Sequence, residues 1–275
     1  MSSTALLQDR FGSAAPALDL PVPPLAAAVL ARRTQRRYTD QAVPQALVEL
    51  LCLAALSASS KSDYQQAGIL QLQEPAKRAA LAAPFPAMPW IGYAPVFLVF
   101  LGDTRRMQRL GELRGHPAPN TGLEGFFNAT VDAALALQTC ILTAESAGLG
   151  TCPISVLRNQ APLVGHVLGL PDGVFPVAGL CLGWPSAAGH ASLRLPPTVT
   201  LHRDRYDDSA MPAAVAAYDA EREARTPTPP GMQRGPARFG TAAQYGWSED
   251  KARQSAEGEG AAFPPWMRAR GFTFD

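Results

Sequence analysis

The sequence is short of lysine: Lys61, Lys77 and Lys251 are the only three among 24 basic residues. Wherever an anion has to be gripped, the planar five-donor guanidinium must do it. Net charge is also scarce, because 24 basic and 23 acidic residues leave only +1. The molecule as a whole has no electrostatic reason to coat nucleic acid or an anionic membrane, so a charged partner must be held locally. Cysteine is limited to Cys52, Cys140, Cys152 and Cys181, with no C-x-x-C pair, and none of the four histidines stands at metal-ligand spacing. Each cysteine lies in an apolar stretch, which reads as a buried thiol rather than a redox or zinc centre. Long apolar runs are missing too: the longest uncharged one, 133–144, falls short of the ~20 residues of a membrane span and is expected to be a helix buried in protein. The N-terminus carries Asp9 and Asp19 among prolines instead of the basic-then-apolar layout of a secretion signal, so a cytoplasmic protein is expected.

What is present is core-forming material: 275 residues, 47% of them hydrophobic, enough for one large domain or two small ones. Residues 1–23 are rich in Ala, Ser and Pro and are expected to form a flexible arm. Pro24 opens a short helix through Leu30, and Pro44 restarts helix as far as Ser57, with Leu47, Leu50, Leu51, Ala54 and Ala55 at helical spacing. Segments 69–73 and 96–101 read as neighbouring strands, the second apolar throughout and suited to the middle of a sheet. From 123 to 147 the pattern is helical; from Asp132 to Glu145 it is apolar on nearly every face and must be covered all round. Gly148 and Gly150 are expected to stop that helix. A short strand or loop at Ile154, a helix over 161–168 and a buried strand over 175–184 follow. Beyond Tyr206 come a charged amphipathic helix over 213–225, a Pro/Gly linker over 226–236, a last helix capped by Ser248, and a tail with exposed aromatics at Trp266, Phe272 and Phe274. This extension, 207–275, is expected to wrap the body or a partner subunit.

Three segments could carry chemistry. Arg32-Arg33-Thr34-Gln35-Arg36-Arg37-Tyr38 sets four guanidiniums where a helix gives way to a loop, and they repel one another unless an anion sits among them. The segment alone fits a phosphate site, a solvated basic turn or a nucleic-acid patch. Ser59-Ser60-Lys61-Ser62-Asp63-Tyr64-Gln65-Gln66 is a polar loop without the Gly and Pro of a mere connector; it suits the carbonyl and ring-nitrogen edge of a heterocycle, or simply a surface loop. In Glu145-Ser146-Ala147-Gly148-Leu149-Gly150-Thr151-Cys152-Pro153-Ile154-Ser155 the Gly-x-Gly follows a helix, whereas the dinucleotide fingerprint must follow a strand and open a helix, so a Rossmann reading is rejected.

Taken in order, R-R-T-x-R-x-Y, the serine loop ending in Gln65, T-A-E-S-A-G-L-G-T-C-P-I-S-x-L-R-N over 143–159, L-G-L-P-D-G-V-F-P-V-A-G-L-C-L-G-W-P over 168–185, and Arg194 make the chain resemble the nitroreductase family over roughly 25–206. Its oxygen-insensitive NADPH nitroreductase and NADPH-flavin reductase branch is the nearest likeness. The resemblance implies an α+β fold with a central mixed, mainly antiparallel sheet flanked by helices. It further implies an FMN-binding domain over 24–206 and a domain-intertwined homodimer joined through the apolar helix, with FMN held tightly but non-covalently where the subunits meet. It places Arg32, Arg33 and Thr34 at the FMN phosphate and ribityl chain, Arg36 near flavin N1 and the C2 carbonyl, and Arg194 on the phosphate. Ser60, Lys61, Ser62 and Gln65 would approach from the opposite subunit, and Pro153, Ile154 and Ser155 would pass along one face of the ring. A cation at the N1 edge makes physical sense, because reduction puts negative charge there.

Three departures stand out. Ser192 replaces a lysine usual two residues before the last arginine, with Arg32 as a substitute charge; the stretch 83–90 has only apolar and Pro residues where a polar one is expected; and Pro153 and Ser155 stand in place of an aromatic residue and a glycine. The implied activity is ping-pong transfer of two electrons from NADPH or NADH to a small planar acceptor such as a nitroaromatic, quinone or flavin. Arg158, Arg234 and Arg238 are the candidates for the nicotinamide nucleotide's 2′-phosphate. Two rival readings remain: a flavin-binding sensor or carrier without fast turnover, and a nucleic-acid binder using the arginine cluster.

Overall fold

The computed structural model describes residues 3–18 and 20–274; of the arm expected over 1–23, residues 1, 2 and 19 lie outside them. Four strands are described, β1 (Ala67–Gln71), β2 (Val96–Asp103), β3 (Gly150–Ile154) and β4 (Val174–Gly183). The described helices, in chain order, are α1 (Ser3–Phe11), α2 (Pro24–Ala31), α3 (Gln45–Leu56), α4 (Pro75–Ala82), α5 (Trp90–Tyr93), α6 (Arg105–Arg114), α7 (Leu123–Ser146), α8 (Ala161–Leu168), α9 (Pro197–Thr200), α10 (Met211–Arg225), α11 (Pro236–Phe239), α12 (Trp247–Glu257) and α13 (Phe263–Arg268). The chain divides into two compact units: Thr34–Gly189 with Gly260–Asp275, and Met1–Arg33 with His190–Glu259.

The first of these holds the sheet, in the order β1-β2-β4-β3 with every neighbouring pair antiparallel. Outside the strands, Thr34 forms an isolated parallel bridge to Thr151. β4 is buried at every residue and β2 at all but its last, as continuous apolar runs must be at the centre of a sheet covered on both sides. The strand period of two sends Leu98, Phe100, Leu180 and Leu182 to one side, against Val48 and Leu51 of α3 and Ala136 and Cys140 of α7. Phe97, Val99 and Cys181 go to the other, against Leu81 of α4, Ile91 of α5 and Val164 of α8. Each such side chain, fully buried, contributes about 1.5–3 kcal/mol. The same burial pushes the Cys140 thiol up to about 12 and the Cys181 thiol higher still, so both stay protonated.

By length and composition the 24-residue α7 could cross a membrane. Instead Ala129, Ala133, Ala136, Cys140 and Ala144 bury one side of it in the unit. The expectation that 132–145 is covered all round fails within one chain at Leu135 (42% exposed), and ahead of that stretch Leu123 (63%) and Phe127 (60%) are exposed as well. Neighbouring α3 exposes Leu50, Leu53 and Leu56 in the same way.

Two further expectations are corrected. The tail aromatics are not exposed: Trp266 lies over Gly165 of α8, where an added Cβ would come within 2.6 Å of the indole, and the buried Phe272 meets Phe175 edge-on at 5.5 Å. Their spacing hides this because the rings fill a cluster made by residues distant in the chain. Nor does Ser248 cap the last helix: Gly246 precedes α12, Ser248 is its second residue and donates N–H and hydroxyl to Asp219 of α10, and α13 follows.

In the other unit, residues expected to be loose form α1, with Leu6, Leu7 and Arg10 buried. After it Gly12 takes φ +60, and Ser13 donates its N–H (2.9 Å) and hydroxyl (2.7 Å) to Glu221 of α10. Those bonds hold the Glu221 carboxyl below the usual carboxylate range. In the same unit Arg253, 4% exposed, donates to the carbonyls of Arg234 and Gly240 and to Glu249, and stacks on Phe239 and Tyr245.

Candidate functional site

Arg32, Arg33 and Arg194 fall in one unit, and a residue overlooked in the sequence organises them. The side chain of Arg10 donates Nε (2.8 Å) and Nη2 (2.6 Å) to the carbonyl of Leu30, Nη2 to that of Arg32 and Nη1 (3.0 Å) to that of Ser192. Its own carbonyl accepts the N–H of Arg194 at 2.8 Å. One buried guanidinium thus caps the carbonyl end of α2 and pins the 192–194 segment beside it, while the side chains of Arg33 and Arg194 stay exposed. The fork shape makes this possible, since an ammonium could not serve three carbonyls in fixed directions. The only sequence signal was Leu6, Leu7 and Arg10 at helical spacing inside a stretch whose composition argues for a loose arm.

In the other unit, residues 34–39 run as a ribbon against the sheet: Gln35 N–H donates to Thr151 O (2.8 Å) and Thr39 N–H to Trp184 O (2.8 Å). Tyr38 Oη donates to Gln35 O at 2.7 Å, and burial raises its phenol well beyond the ordinary value, so it remains a donor. Arg36 is exposed; its guanidinium carbon lies 5.3 Å from the centre of the Trp90 ring, and Tyr93 Oη donates to its carbonyl at 2.6 Å. The two glycines expected to end α7 do different work. Gly148 takes φ +86, letting Leu149 N–H return to Ala144 O, whereas Gly150 opens β3 and makes room for the ribbon. A Cβ on Gly150 would stand 2.7 Å from Gln35 Cβ and Cγ. Gly150→Ala is therefore expected to push the ribbon off the sheet and lower stability by about 1–3 kcal/mol, read as a fall in the denaturant midpoint with the slope unchanged. Beyond Gly150, Pro153 and Ser155 are exposed while Ile154 is buried. A proline without N–H fits there because β3 is an edge strand.

The serine loop is clamped by a second overlooked residue. Asp132 of α7, 2% exposed, accepts Lys61 N–H (2.9 Å) through Oδ1 and Gln66 N–H (3.0 Å) through Oδ2. Between those two anchors Ser62, Asp63 and Gln65 all have positive φ, a strained sequence of conformations that a bare connector would not keep. Ser60 and Gln65 line a cavity of about 340 Å3 with Leu56, Ile69, Arg106 and Asp132, within the usual size range of small-molecule sites. Lys61 Nζ approaches Ser62 Oγ at 3.2 Å, and Arg106, missed by sequence reasoning, donates to Gln65 O while pairing with Asp103 at 3.0 Å. Asp132 is the lone acid at the head of an apolar run, which is the one feature that could have revealed it.

Each of the three arginines considered for a nicotinamide phosphate has at least one partner within the chain. Arg158 Nη1 donates to Val177 O at 2.6 Å. Arg234 faces Glu257 (3.4 Å) and Asp250 (3.6 Å), and Arg238 donates to Ala256 O at 3.0 Å and stacks on Phe239. Among the described residues no group of His, Cys, Asp and Glu is arranged to hold a metal ion.

Comparison with known proteins identifies the family. The sequence profile described as the nitroreductase family matches residues 29–184, and that of its C-terminal domain matches 192–275. The chain is 34% identical over 192 residues to the FMN reductase [NAD(P)H] of Bacillus subtilis, covering 69% of this chain and 77% of that one. It is 35% identical over 175 residues to the oxygen-insensitive NADPH nitroreductase of Salmonella typhimurium, covering 63% and 71%. A solved structure of NADPH:FMN oxidoreductase from Vibrio harveyi complexed with NAD+ superimposes with a TM-score of 0.78 at 27% identity, over 90% of this chain and 98% of that one.

Proposed function

Because the chain belongs to the nitroreductase family, we propose that it is an FMN-dependent oxidoreductase that draws electrons from NAD(P)H and reduces nitroaromatics, quinones or flavins two electrons at a time. When bound, FMN would supply the two-electron redox chemistry. The protein's part is to hold, orient and tune. The donor set fits the group: exposed guanidiniums on a pinned main chain suit a phosphate, and a strained, polar, cavity-lining loop suits a heterocycle's edge.

Arg32, Arg33 and Arg194 would hold the phosphate with Thr34 adding a hydroxyl, and Arg36 would face the pyrimidine edge, where its fixed charge favours the reduced state. Ser60, Lys61, Ser62 and Gln65 would reach a flavin of the partner subunit, and Pro153, Ile154 and Ser155 would form the wall along which donor and acceptor lie in turn. A homodimer is favoured by the uncovered apolar sides of α3 and α7, next to the cavity that Leu56 shares with Ser60. Arg158, Arg234 or Arg238 would have to exchange a present partner to take up a 2′-phosphate. A cytoplasmic location suits the nicotinamide donor and the unpaired, protonated thiols of Cys140 and Cys181.

The observation that carries this reading is the Arg10 pin, which fixes two cationic segments far apart in sequence onto one residue. Its test is anaerobic mixing of the purified yellow protein with NADPH. Loss of colour within seconds is expected, and colour that persists would leave a flavin carrier without turnover. Arg36→Ala is expected to lower kcat/KM by about tenfold to a hundredfold while the protein stays yellow, as for the loss of one preorganised charge-stabilising donor.

A further inference from the structure

The stretch ahead of β2 offers no polar side chain besides an indole and a phenol, yet it closes on the residue with the most direct assigned role. Trp90 opens α5 and Tyr93 ends it. The Trp90 ring lies under the Arg36 guanidinium at 5.3 Å, and the Tyr93 hydroxyl donates to the Arg36 carbonyl at 2.6 Å. The four-residue helix therefore holds both the charged tip and the main chain of Arg36. The helix is itself anchored, since Arg78 of α4 donates to the carbonyls of Ile91 (2.5 Å) and Ala94 (2.8 Å) and lies over the Phe97 ring at 4.9 Å. Cys181 of β4 also donates to the Trp90 carbonyl, at 3.6 Å.

Two features set this apart from ordinary packing. Among the described residues the Arg36 guanidinium pairs with no carboxylate, so the ring restrains it without neutralising its charge or using its N–H groups. The Trp90 Nε1–H is buried without an acceptor, a cost that a phenylalanine or leucine in the same apolar surroundings would avoid. Indole is the strongest of the side-chain cation binders, which supplies a reason for bearing that cost.

We infer that Trp90 and Tyr93 are positioning residues that hold the Arg36 guanidinium, charged and with its donors open, at the pyrimidine edge of FMN, and so set how strongly the protein prefers the reduced cofactor. The inference rests on the placement of Arg36 in the proposed function and adds the groups that hold it there. An arginine on a flexible ribbon would spread its charge over many rotamers. Stacked on a fixed indole, it is already in place when negative charge develops.

The experiment measures dissociation constants of oxidised and reduced FMN for apoprotein variants, together with the midpoint potential of each holoprotein. Trp90→Leu is expected to lower the preference for reduced over oxidised FMN roughly tenfold, a fall of about 30 mV for a two-electron couple, with little change in affinity for the oxidised form. Trp90→Phe should recover most of the preference by restoring a ring face. Tyr93→Phe, which removes one exposed hydroxyl and leaves packing intact, should lower it by a smaller factor of about three. In an Arg36→Ala background neither substitution should have a further effect. If Trp90→Leu shifts the potential equally with and without Arg36, or leaves it unmoved while Arg36→Ala shifts it, the inference is wrong. If Arg36→Ala itself leaves the potential unchanged, the placement of Arg36 fails first. Near-ultraviolet circular dichroism of the apoproteins separates a misfolded variant from either outcome.

Discussion

A protein carrying Leu53→Glu and Phe127→Glu is expected to be monomeric and colourless. In the single chain these side chains are 65% and 60% exposed, on helices that share one core cluster, and Leu50, Leu56, Leu123 and Leu135 of the same two helices are exposed as well. A soluble monomer rarely leaves so many large apolar groups together, and each one covered by a partner contributes up to about 1.5–3 kcal/mol. Two buried carboxylates would replace that gain with a desolvation penalty, so association should weaken by a factor of about 1,000 or more. On the proposed assignment flavin should be lost with it, because the serine loop lining the cavity of about 340 Å3 is there proposed to reach a partner's cofactor. Sedimentation velocity and the visible spectrum read the two effects together. Leu113→Glu is the control: that leucine is 78% exposed at the end of α6, and the substitution should change neither. A double variant that remains dimeric and yellow would move the interface elsewhere.

Replacing Arg10 by methionine is expected to raise the dissociation constant for FMN at least a hundredfold. Methionine matches the length of the stem but leaves the carbonyls of Leu30, Arg32 and Ser192 without their donor. An orphaned buried carbonyl costs about 1–3 kcal/mol, so together they exceed what the 192–194 segment can bear without moving. Arg194 would then be free to swing away from Arg32 and Arg33, and a phosphate would have to reassemble the site on binding. Fluorescence titration of the apoprotein gives the affinity, and thermal melting reports the accompanying loss of stability. Arg10→Lys should lie between the two, since an ammonium can serve one or two of the carbonyls. An affinity that stays at the wild-type value while stability falls would make Arg10 a structural residue only.

Much of the sheet-bearing unit was legible along the chain. The apolar run of β2, the 161–168 helix and the α7 pattern depend on nearest neighbours and on a strict period, and they form within two residues of where they were expected. Besides the helices α1, α4 and α6, what escaped the sequence is the placement of individual side chains. Arg10, Asp132, Arg106, Trp90 and Trp266 are single side chains in stretches whose composition points elsewhere, and their partners lie scores of residues away.

The sequence by itself determined the central strands and the helices α3, α7, α8 and α10, the concentration of positive charge on a few arginines, and the order of motifs that marks the family, because propensity, periodicity and composition are local properties. Only the tertiary structure decided that Arg10 binds the two cationic segments together, that Asp132 locks the serine loop in its strained form, and that Trp90 carries Arg36. Each of these depends on a buried polar group meeting a donor or a ring across a long stretch of chain. No spacing rule records such a meeting, since the energy comes from removing both partners from water at one place.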